Sequence, residues 1–415
     1  MANLGLHLSI STDLKRKIGM WLLLVAVGCT GSGQTMLFAI LPPLARDLGL
    51  KEFQVGTIFT LSAIVFTLAG PWCGRKSDQY GRRPFILLGM AGFVLSTFAF
   101  AGLLEYGILG GLHGVTLYIV LMLVRSVSGL FSAASASAST AYIADRTPLD
   151  QRASGMAKYA AAYGLGTVLG PASAGYLSVF GAVMPLFIMA AIGAITFALL
   201  GYFLVEETPP KAQKESPRMK ISDNRIFRLL GFNLLSGCAI SIPVQIIGFY
   251  IIDAFNMSPD DAQKAVGTAL TASAISSLAG QIILIQKLKL PPSRLMAIGP
   301  LGLVIGNSFI SASSTFEMLL VGMFITGLGS GLLMPGTIAA ISMRISPTEQ
   351  GSASGLAIAA GAIGFIFSPV FAFGLYNIHT MGPFIFVGAL GAIMMLPFWR
   401  AQKIDNISQS PPPIV

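Results

Sequence analysis

Long apolar runs alternate with short polar segments along the whole chain. An α-helix of about 20 apolar residues crosses roughly 30 Å of hydrocarbon, and this length selects twelve runs as candidate membrane spans. The spans, numbered in chain order, lie near residues 19–43, 54–74, 84–105, 115–144, 153–180, 181–204, 227–252, 264–287, 294–313, 317–343, 352–377 and 381–400. The pattern predicts an all-α membrane protein with twelve transmembrane helices. The first run is too long for a cleaved signal peptide and is followed by further spans.

One polar interruption is much longer than the others and divides the spans into six and six. Its Pro, Lys and Glu content is typical of a linker, and the polar, Pro-rich end of the chain is typical of disorder. We therefore predict a six-helix bundle at 1–204, a cytoplasmic linker at 205–228, a second bundle at 229–400 and a disordered cytoplasmic tail at 401–415.

The two bundles repeat each other in sequence. "TPLDQRASG" at 147–155 resembles "SPTEQGSASG" at 346–355, and each leads into a Gly/Ala-rich span with a proline, Pro171 or Pro369. Because each bundle has an even number of spans, the repeats run in the same direction and are related by a pseudo-two-fold axis along the membrane normal. Two such bundles enclose a central site, which rocking exposes to each side of the membrane in turn. This architecture is typical of a transporter.

Composition and charge support the membrane assignment. A hydrophobic fraction of 54% with only 10% charged residues excludes a soluble domain. The net charge of +9 reflects topology, since 21 of the 26 Lys and Arg residues fall in the tails and alternate loops on one side, and three fall on the other. Positive loops stay in the cytoplasm, so both termini are predicted to be cytoplasmic, in a bacterial-type inner membrane. No basic patch indicates nucleic-acid binding.

Other chemistry finds little support in the sequence. The three Cys and three His residues form no cluster, so we predict no metal site and no cofactor. No GxxxxGK[ST] motif occurs, and we predict that the chain is not an enzyme and draws its energy from an ion or substrate gradient. The predicted partners are a small-molecule substrate, the lipid bilayer and, as a candidate coupling ion, the proton. The protein is predicted to be a monomer.

Three motifs carry a family resemblance. They are Gly74-x3-Asp78-x2-Gly81-Arg82-Arg83 between spans 2 and 3, Arg125-x3-Gly129 in span 4, and Gly166-x3-Gly170-Pro171 in span 5. With "AYIAD" and Arg152 after span 4, they resemble the major facilitator superfamily, close to the drug/proton antiporter branch that includes tetracycline efflux pumps. The resemblance covers nearly the whole chain. It implies alternating access, and the third motif is associated with exporters.

The first motif predicts a latch. A short cytoplasmic loop with glycines at both ends, Gly74 and Gly81, folds back tightly on the neighbouring bundle. Asp78 can then accept hydrogen bonds from Arg82 or Arg83, or meet the N-terminus of span 11. We expect such contacts only while the cytoplasmic side is shut, with Asp145 and Arg152 completing the gating set. The alternative is that the positive charges only fix topology, which suits Arg75 and Lys76 better than Asp78.

Span 5 is predicted to pack across the interface between the bundles. Gly166 and Gly170 lie four residues apart on one face, which allows close backbone approach, and Pro171 prevents straight continuation of the helix. The alternative is generic packing of small residues, which specifies no direction of transport.

Arg125 is the strongest candidate for substrate binding. Inserting a cation near the middle of a membrane helix costs about 2.5–3.5 kcal/mol, so such a residue persists only with a partner or a water-filled cavity. At spacings of three and four it begins a polar stripe that continues through Ser128, Ser132, Ser135, Ser139 and Tyr142. The alternative is that these serines bond to their own backbone. In the resembled family this helix lines the cavity.

Further cavity residues are predicted on spans 1, 5 and 7. Thr30 and Gln34, and Ser241 with Gln245, lie mid-span where the repeat places the cavity walls. Lys158 lies about 9 Å along span 5, where it can either point into the cavity or snorkel to the cytoplasmic headgroups. The two interpretations of Lys158 stay open.

The substrate and the coupling mechanism also have alternatives. The resemblance implies proton-coupled efflux of drugs or metabolites, but tetracycline pumps carry an aspartate in span 1 where this chain has Thr30. None of the 17 acidic residues lies clearly mid-membrane, which leaves Asp78, Asp145 and Asp253 as candidate titrating groups. Cations without anions in the cavity favour an anionic, carboxylate-bearing substrate such as a siderophore. A lipid translocator is a further alternative.

Overall fold

The computed structural model describes residues 12–147, 152–205, 219–346 and 349–396, and within them the secondary structure is helical. The helices are α1 (Thr12–Ala45), α2 (Glu52–Tyr80), α3 (Arg82–Ile108), α4 (Gly114–Arg146), α5 (Arg152–Leu177), α6 (Met184–Phe203), α7 (Phe227–Phe255), α8 (Pro259–Gly280), α9 (Pro292–Ser311), α10 (Phe316–Ser342), α11 (Gln350–Ile378) and α12 (Gly382–Met394). A π-helical segment, Gln281–Lys287, prolongs α8. The predicted tail at 401–415 and most of the predicted linker, 206–218, lie outside the described residues.

The twelve helices correspond to the twelve apolar runs. Ten stretches of the described helices are long and apolar enough to cross a membrane. The other two helices are α5, which is rich in Gly and Ala, and α12, a shorter apolar helix of 13 residues. Because successive helices reverse direction, the beginning of α1 and the end of α12 lie on one side of the membrane. We call this the terminal side and the other the far side.

The two halves of the molecule, α1–α6 and α7–α12, meet close to the far side. There α1 packs on α7, α2 on α11 and α5 on α8. Small residues bring the backbones together: a Cβ added to Gly267 of α8 would lie 2.7 Å from the carbonyl oxygen of Pro171, and one added to Gly248 of α7 would lie 2.6 Å from Pro42. The halves are therefore closed against each other on the far side.

On the terminal side, the described part of the linker bonds to the second half. Arg225 donates to Glu349, just before α11, at 2.9 Å, and the Met219 amide donates to Ser352 Oγ at 2.9 Å. Hydrogen bonds from Arg225, and then from Ser346, lower the pKa of Glu349 to about 2. The Glu349 carboxylate therefore stays ionised at neutral and mildly acidic pH, and its ion pair with Arg225 persists there.

The close approach of α5 and α8 gives a first prediction. In Gly267→Val the new side chain meets backbone that cannot move aside, so the far side should no longer close fully. Spin labels at Tyr176→Cys and Thr268→Cys should then show a longer mean distance than in the parent protein. Gly102→Val is the matched control, because a Cβ there has no neighbour within 4 Å. An unchanged distance in Gly267→Val would contradict this account of the interface.

Candidate functional site

A central cavity of about 380 Å³ lies between α1, α2, α4, α5 and α11. Its end nearer the far side is closed by Phe38 and Phe59, whose ring centroids lie 4.5 Å apart. From there it extends toward the terminal side, past Phe66 and Tyr159. Its walls consist of Val27, Thr30, Gln34, Thr35, Phe38, Phe59, Ser62, Ala63, Phe66, Arg125, Gly129, Ser132, Ser135, Ala136, Tyr159, Tyr163 and Phe365.

Arg125 is the one charged side chain among these lining residues. Its guanidinium carbon lies 6.0 Å from the centroid of the Phe59 ring. Within the described ranges no carboxylate lies within salt-bridge distance of Arg125, and its buried Nε forms no hydrogen bond. A cation in this position gains little from the protein itself, so the arrangement suits an anionic ligand.

Polar residues of α1 and α4 surround Arg125, as the sequence predicts. Thr30, Gln34, Ser132 and Ser135 line the cavity, while Ser128 lines a small pocket behind Arg125. The Tyr163 hydroxyl donates to Gln34 Oε1 at 3.3 Å. Gln34 and Arg125 are thus brought to the same space from different helices.

The aromatic part of the wall is absent from the sequence prediction. Six of the lining residues are aromatic, and they come from four helices: Phe38, Phe59, Phe66, Tyr159, Tyr163 and Phe365. Each lies within an apolar or small-residue span, where an aromatic residue gives no signal that separates a cavity wall from a core. Their faces can stack on flat or apolar parts of a ligand.

A second chamber of about 210 Å³ adjoins the first and shares Thr35 and Phe38 with it. It lies between the two halves and contains no charged lining residue. Hydroxyl groups of both halves, Thr167, Ser273, Ser277, Thr326 and Ser330, face an otherwise apolar wall. The two chambers together offer one cationic and one neutral compartment.

A charged cluster joins the halves at the far side. Arg46, which follows α1, holds the Asp253 carboxylate of α7 with both terminal nitrogens, and the Nη2–Oδ2 distance is 2.9 Å. Arg46 Nε also donates to Glu52 of α2 at 2.9 Å. The Tyr376 hydroxyl of α11 donates to Asp253 Oδ2 at 2.5 Å. Among these four residues the sequence pointed only to Asp253.

Comparison with known proteins places this architecture in a family. The model of the Major Facilitator Superfamily matches residues 23–285 and, separately, residues 229–413. The chain belongs to the major facilitator superfamily. It is therefore a multi-pass membrane transporter and not an enzyme, as the sequence predicts.

Two of the similar proteins are named for drug resistance. The chain is 27% identical over 399 residues to Multidrug resistance protein 2 of Bacillus subtilis (strain 168), covering 90% of this chain and 93% of that protein. It is 25% identical over 377 residues to Quinolone resistance protein NorA of Staphylococcus aureus (strain MSSA476), covering 88% and 92%. The crystal structure of the nucleoside transporter NupG shares the fold, with a TM-score of 0.72 at 12% identity over 95% of this chain and 100% of that one.

The superfamily's signature segment differs in form from the predicted loop. Gly74 lies inside α2, and Gly81 is the single residue between α2 and α3. Gly81 has a φ of 96°, a conformation that residues with a side chain rarely adopt. The connection is thus a one-residue turn, and Gly74 does not form its other end.

The charges of this segment form contacts within the first half. Arg82 pairs with Asp78 and, at 3.2 Å, with Asp145, while Arg83 donates to the Gly201 carbonyl at 2.6 Å. The expectation that Asp78 meets Arg82 only when the terminal side is shut is wrong, since the pair is present here with the halves meeting at the far side. Arg152 begins α5, and its side chain lies outside the described part of the structure.

The superfamily's exporter motif packs on two different neighbours. Gly166 and Gly170 face α1 of the same half, where an added Cβ would collide with the backbone near Gly28 and Ser32. The approach of α5 to the second half instead involves Pro171 and Gly175, both against Gly267. The helix lies at the interface, but its two motif glycines do not face across it.

Lys158 does not line the cavity. It is exposed on the outer face of α5, in an apolar groove of about 580 Å³ that it shares with α1 and α6. Trp21, which is 69% exposed, lies in the same groove. Successive helical residues point about 100° apart, so the neighbouring Tyr159 enters the cavity while Lys158 faces outward. The structure thus favours the headgroup-anchor interpretation of Lys158.

Ser241 and Gln245 do not line either chamber, contrary to the sequence prediction. Both are 1% exposed. Gln245 Nε2 donates to Ser241 Oγ at 2.5 Å and to Ser368 Oγ of α11 at 2.9 Å. This network ties α7 to α11 inside the second half, since buried polar groups need partners.

These placements predict opposite effects for two glutamines. Gln245→Ala should lower the thermal unfolding midpoint, because it removes two buried hydrogen bonds worth about 0.5–1.5 kcal/mol each, while ligand affinity stays within about twofold. Gln34→Ala should weaken ligand binding and leave the midpoint nearly unchanged. Thermal unfolding and ligand titration of both variants check this pair, and the reverse pattern would contradict the assigned cavity.

Proposed function

We propose that this protein is a secondary active exporter that moves amphipathic organic anions out of the cytoplasm by alternating access. The observation that carries the proposal is the solitary Arg125 in a cavity walled by aromatic rings. An acidic group of the substrate would pair with the guanidinium, and its apolar part would stack on Phe59 and Tyr159. The neutral second chamber offers room for further apolar bulk.

The terminal side is the cytoplasmic side in this proposal. The loops and tails of that side hold most of the Lys and Arg residues, which supports cytoplasmic retention. With the halves closed at the far side and the cavity extending toward the terminal side, the described conformation corresponds to an inward-facing state. A substrate would then enter from the cytoplasm or the inner leaflet.

Export is the direction that the relatives support. Two of them are named for resistance to drugs, and removal of a drug from the cell is the simplest transport activity that confers resistance. Glycines at the contacts between α1 and α5 and between α5 and α8 suit helices that must slide and rock. Protons are the proposed coupling ion. The alternative function is multidrug efflux of neutral or cationic compounds, and the binding test below distinguishes it from the export of anions.

Asp78 and Arg82 form the proposed cytoplasmic latch in its released state. The Asp78 side chain is 53% exposed, so it is free to reach a second partner when the halves approach on this side. Asp145 holds Arg82 in position through the bond described above. In the outward-facing state we expect Asp78 to contact the N-terminus of α11.

Binding of anions should depend on Arg125. In Arg125→Gln the affinity for amphipathic organic acids should fall by about 10- to 150-fold, the equivalent of a charged hydrogen bond worth about 1.5–3 kcal/mol. The unfolding midpoint without ligand should not fall, because in the described part of the structure the arginine has no carboxylate partner to lose. The measurement is a thermal-shift and equilibrium-binding screen of purified protein with polycarboxylates and amphipathic acids against the lipophilic cation tetraphenylphosphonium.

Lys158→Ala is the matched control, since it removes a cation of the same half that lies outside the cavity. It should bind the acids as the parent does. The anion proposal would be overturned if tetraphenylphosphonium stabilised the protein, no acid did, and Arg125→Gln left this stabilisation unchanged. That result would favour a multidrug exporter of cations.

The latch makes a separate prediction. Asp78→Asn should reduce transport by about tenfold while the amount of inserted protein stays the same, because it removes a charged contact that stabilises the outward-facing state. Lys76→Gln is the control, because it removes a charge from the same end of α2, close to the turn at Gly81. This variant should transport normally. Transport assays in vesicles matched for protein content test both, and equal activity of Asp78→Asn and the parent would remove the latch.

A further inference from the structure

A groove of about 350 Å³ runs along the outer seam between α5 and α8, and it shares no lining residue with the two chambers. One wall comes from each half of the molecule. Gly175 and Gly267 form its floor, where a Cβ added to Gly267 would lie 2.9 Å from the Gly175 Cα. Because its walls belong to different halves, the groove depends on the closure of the far side.

A buried amide holds the two walls together. Gln263 of α8 is 0% exposed, and its Nε2 donates across the seam to the Ala182 carbonyl of the first half at 2.9 Å. The next residue, Lys264, is exposed and lines the groove. If the halves separated on this side, Lys264 would move away from the α5 wall.

The groove has the length of one acyl chain in one leaflet. From Lys264 to Ile275, α8 rises about 16 Å, and one leaflet contributes about 15 Å of hydrocarbon. Between these residues, the hydroxyls of Thr268 and Thr271 donate to carbonyls of their own helix, at 2.9 and 2.6 Å. These threonines therefore need no polar partner from a ligand, and the wall suits a hydrocarbon chain.

The end of the groove at the far side is polar. Lys264 lies about 8 Å along α8, which is the depth at which lipid headgroups meet the hydrocarbon. Tyr176, which is 83% exposed, lines the same end, since a Cβ added to its neighbour Gly175 would lie 3.4 Å from the Lys264 carbonyl oxygen. Tyrosine is common at this depth of a membrane.

A carboxylate lies one helical turn further out. Asp260 is exposed and precedes Lys264 by four residues, so both lie on one face of α8. Within the described ranges neither of them forms a salt bridge. The adjacent Asp261 already accepts a hydrogen bond from the Ser258 hydroxyl at 2.8 Å. The site therefore presents a cation at the hydrocarbon boundary and an anion closer to water.

This order of charges matches one class of phospholipid headgroup. A phospholipid has its phosphate at the hydrocarbon boundary, where Lys264 and the Tyr176 hydroxyl can donate to it. An ethanolamine headgroup adds a primary ammonium further out, where Asp260 can accept its hydrogen bonds. A glycerol headgroup brings no cation to Asp260, and the trimethylammonium of choline has no N–H to donate.

We propose that this groove binds a phospholipid of the far leaflet with an ethanolamine headgroup, and that the bound lipid stabilises the closed state of the far side. A ligand that contacts both halves in only one conformation shifts the population toward that conformation. Neither a substrate nor a proton gradient is needed for this effect, so it holds whether or not the transported compound is an anion.

The test measures the far-side distance in purified full-length protein in nanodiscs of defined composition. Spin labels at Leu109→Cys and Ile378→Cys report on the two halves, since these positions are 76% and 82% exposed and lie outside the groove. The native cysteines, Cys29, Cys73 and Cys238, are buried and compete little for the label.

Three lipid compositions are compared: phosphatidylcholine alone, and phosphatidylcholine partly replaced by phosphatidylethanolamine or by phosphatidylglycerol. The ratio of closed to open populations should be about two- to fivefold higher with phosphatidylethanolamine than with either other lipid, the size expected of contacts between exposed charges. Equal closure in all three compositions, or the strongest closure with phosphatidylglycerol, would overturn the proposal.

Variants separate a bound lipid from a general effect on the bilayer, which would act on every variant alike. Lys264→Gln and Asp260→Asn should each lose most of the response to phosphatidylethanolamine and should retain less of this lipid in native mass spectrometry. Lys51→Gln is the matched control, because it removes another exposed cation of the far side, away from the groove, and it should respond as the parent does. A full response in Lys264→Gln would overturn the site.

Discussion

The ion pair between Arg46 and Asp253 joins the two halves on the side where they are closed. It joins the end of the first helix to the end of the seventh, and Tyr376 on α11 completes it. Below it, close contacts such as Gly267 against Pro171 bring the backbones of the two halves together. The contacts through small residues are fixed by shape, whereas the ion pair depends on charge. Opening on this side therefore requires both the packing contacts and the ion pair to separate.

The central cavity follows from the same closure, because it extends from the Phe38 and Phe59 rings toward the terminal side. Its chemistry is set by one cation that has no carboxylate partner among the described residues and is surrounded by aromatic rings and small hydroxyl side chains. In the second half, by contrast, the buried amide nitrogen of Gln245 donates to the hydroxyl groups of Ser241 and Ser368. The glutamine side chain is bonded to serines of its own helix and of α11 and belongs to a structural network, whereas the arginine has no carboxylate partner among the described residues and belongs to a binding site.

The sequence predicts the helices well, since hydropathy and length are properties of local segments. It also predicts that one cavity contains Arg125, Thr30, Gln34, Ser132 and Ser135. Placing a polar side chain in mid-membrane costs free energy, so such residues indicate a binding site. The sequence prediction fails where the rotation of a helix, or a contact between residues far apart in the chain, decides where a side chain lies. Lys158 and Tyr159 differ by one position and face different surroundings, and Gln245 finds its partner 123 positions away. Arg46 and Asp253, 207 positions apart, are ordinary charges at helix ends until the fold brings them together.

The central claim is that an organic anion leaves the cytoplasm in exchange for protons. The most direct measurement is uptake of a carboxylated fluorescent dye into inside-out membrane vesicles with an acid interior. The account predicts uptake that requires the pH gradient, stops when the gradient is collapsed, and is lost in Arg125→Gln but not in Lys158→Ala. Uptake that is independent of the pH gradient and of Arg125 would contradict it.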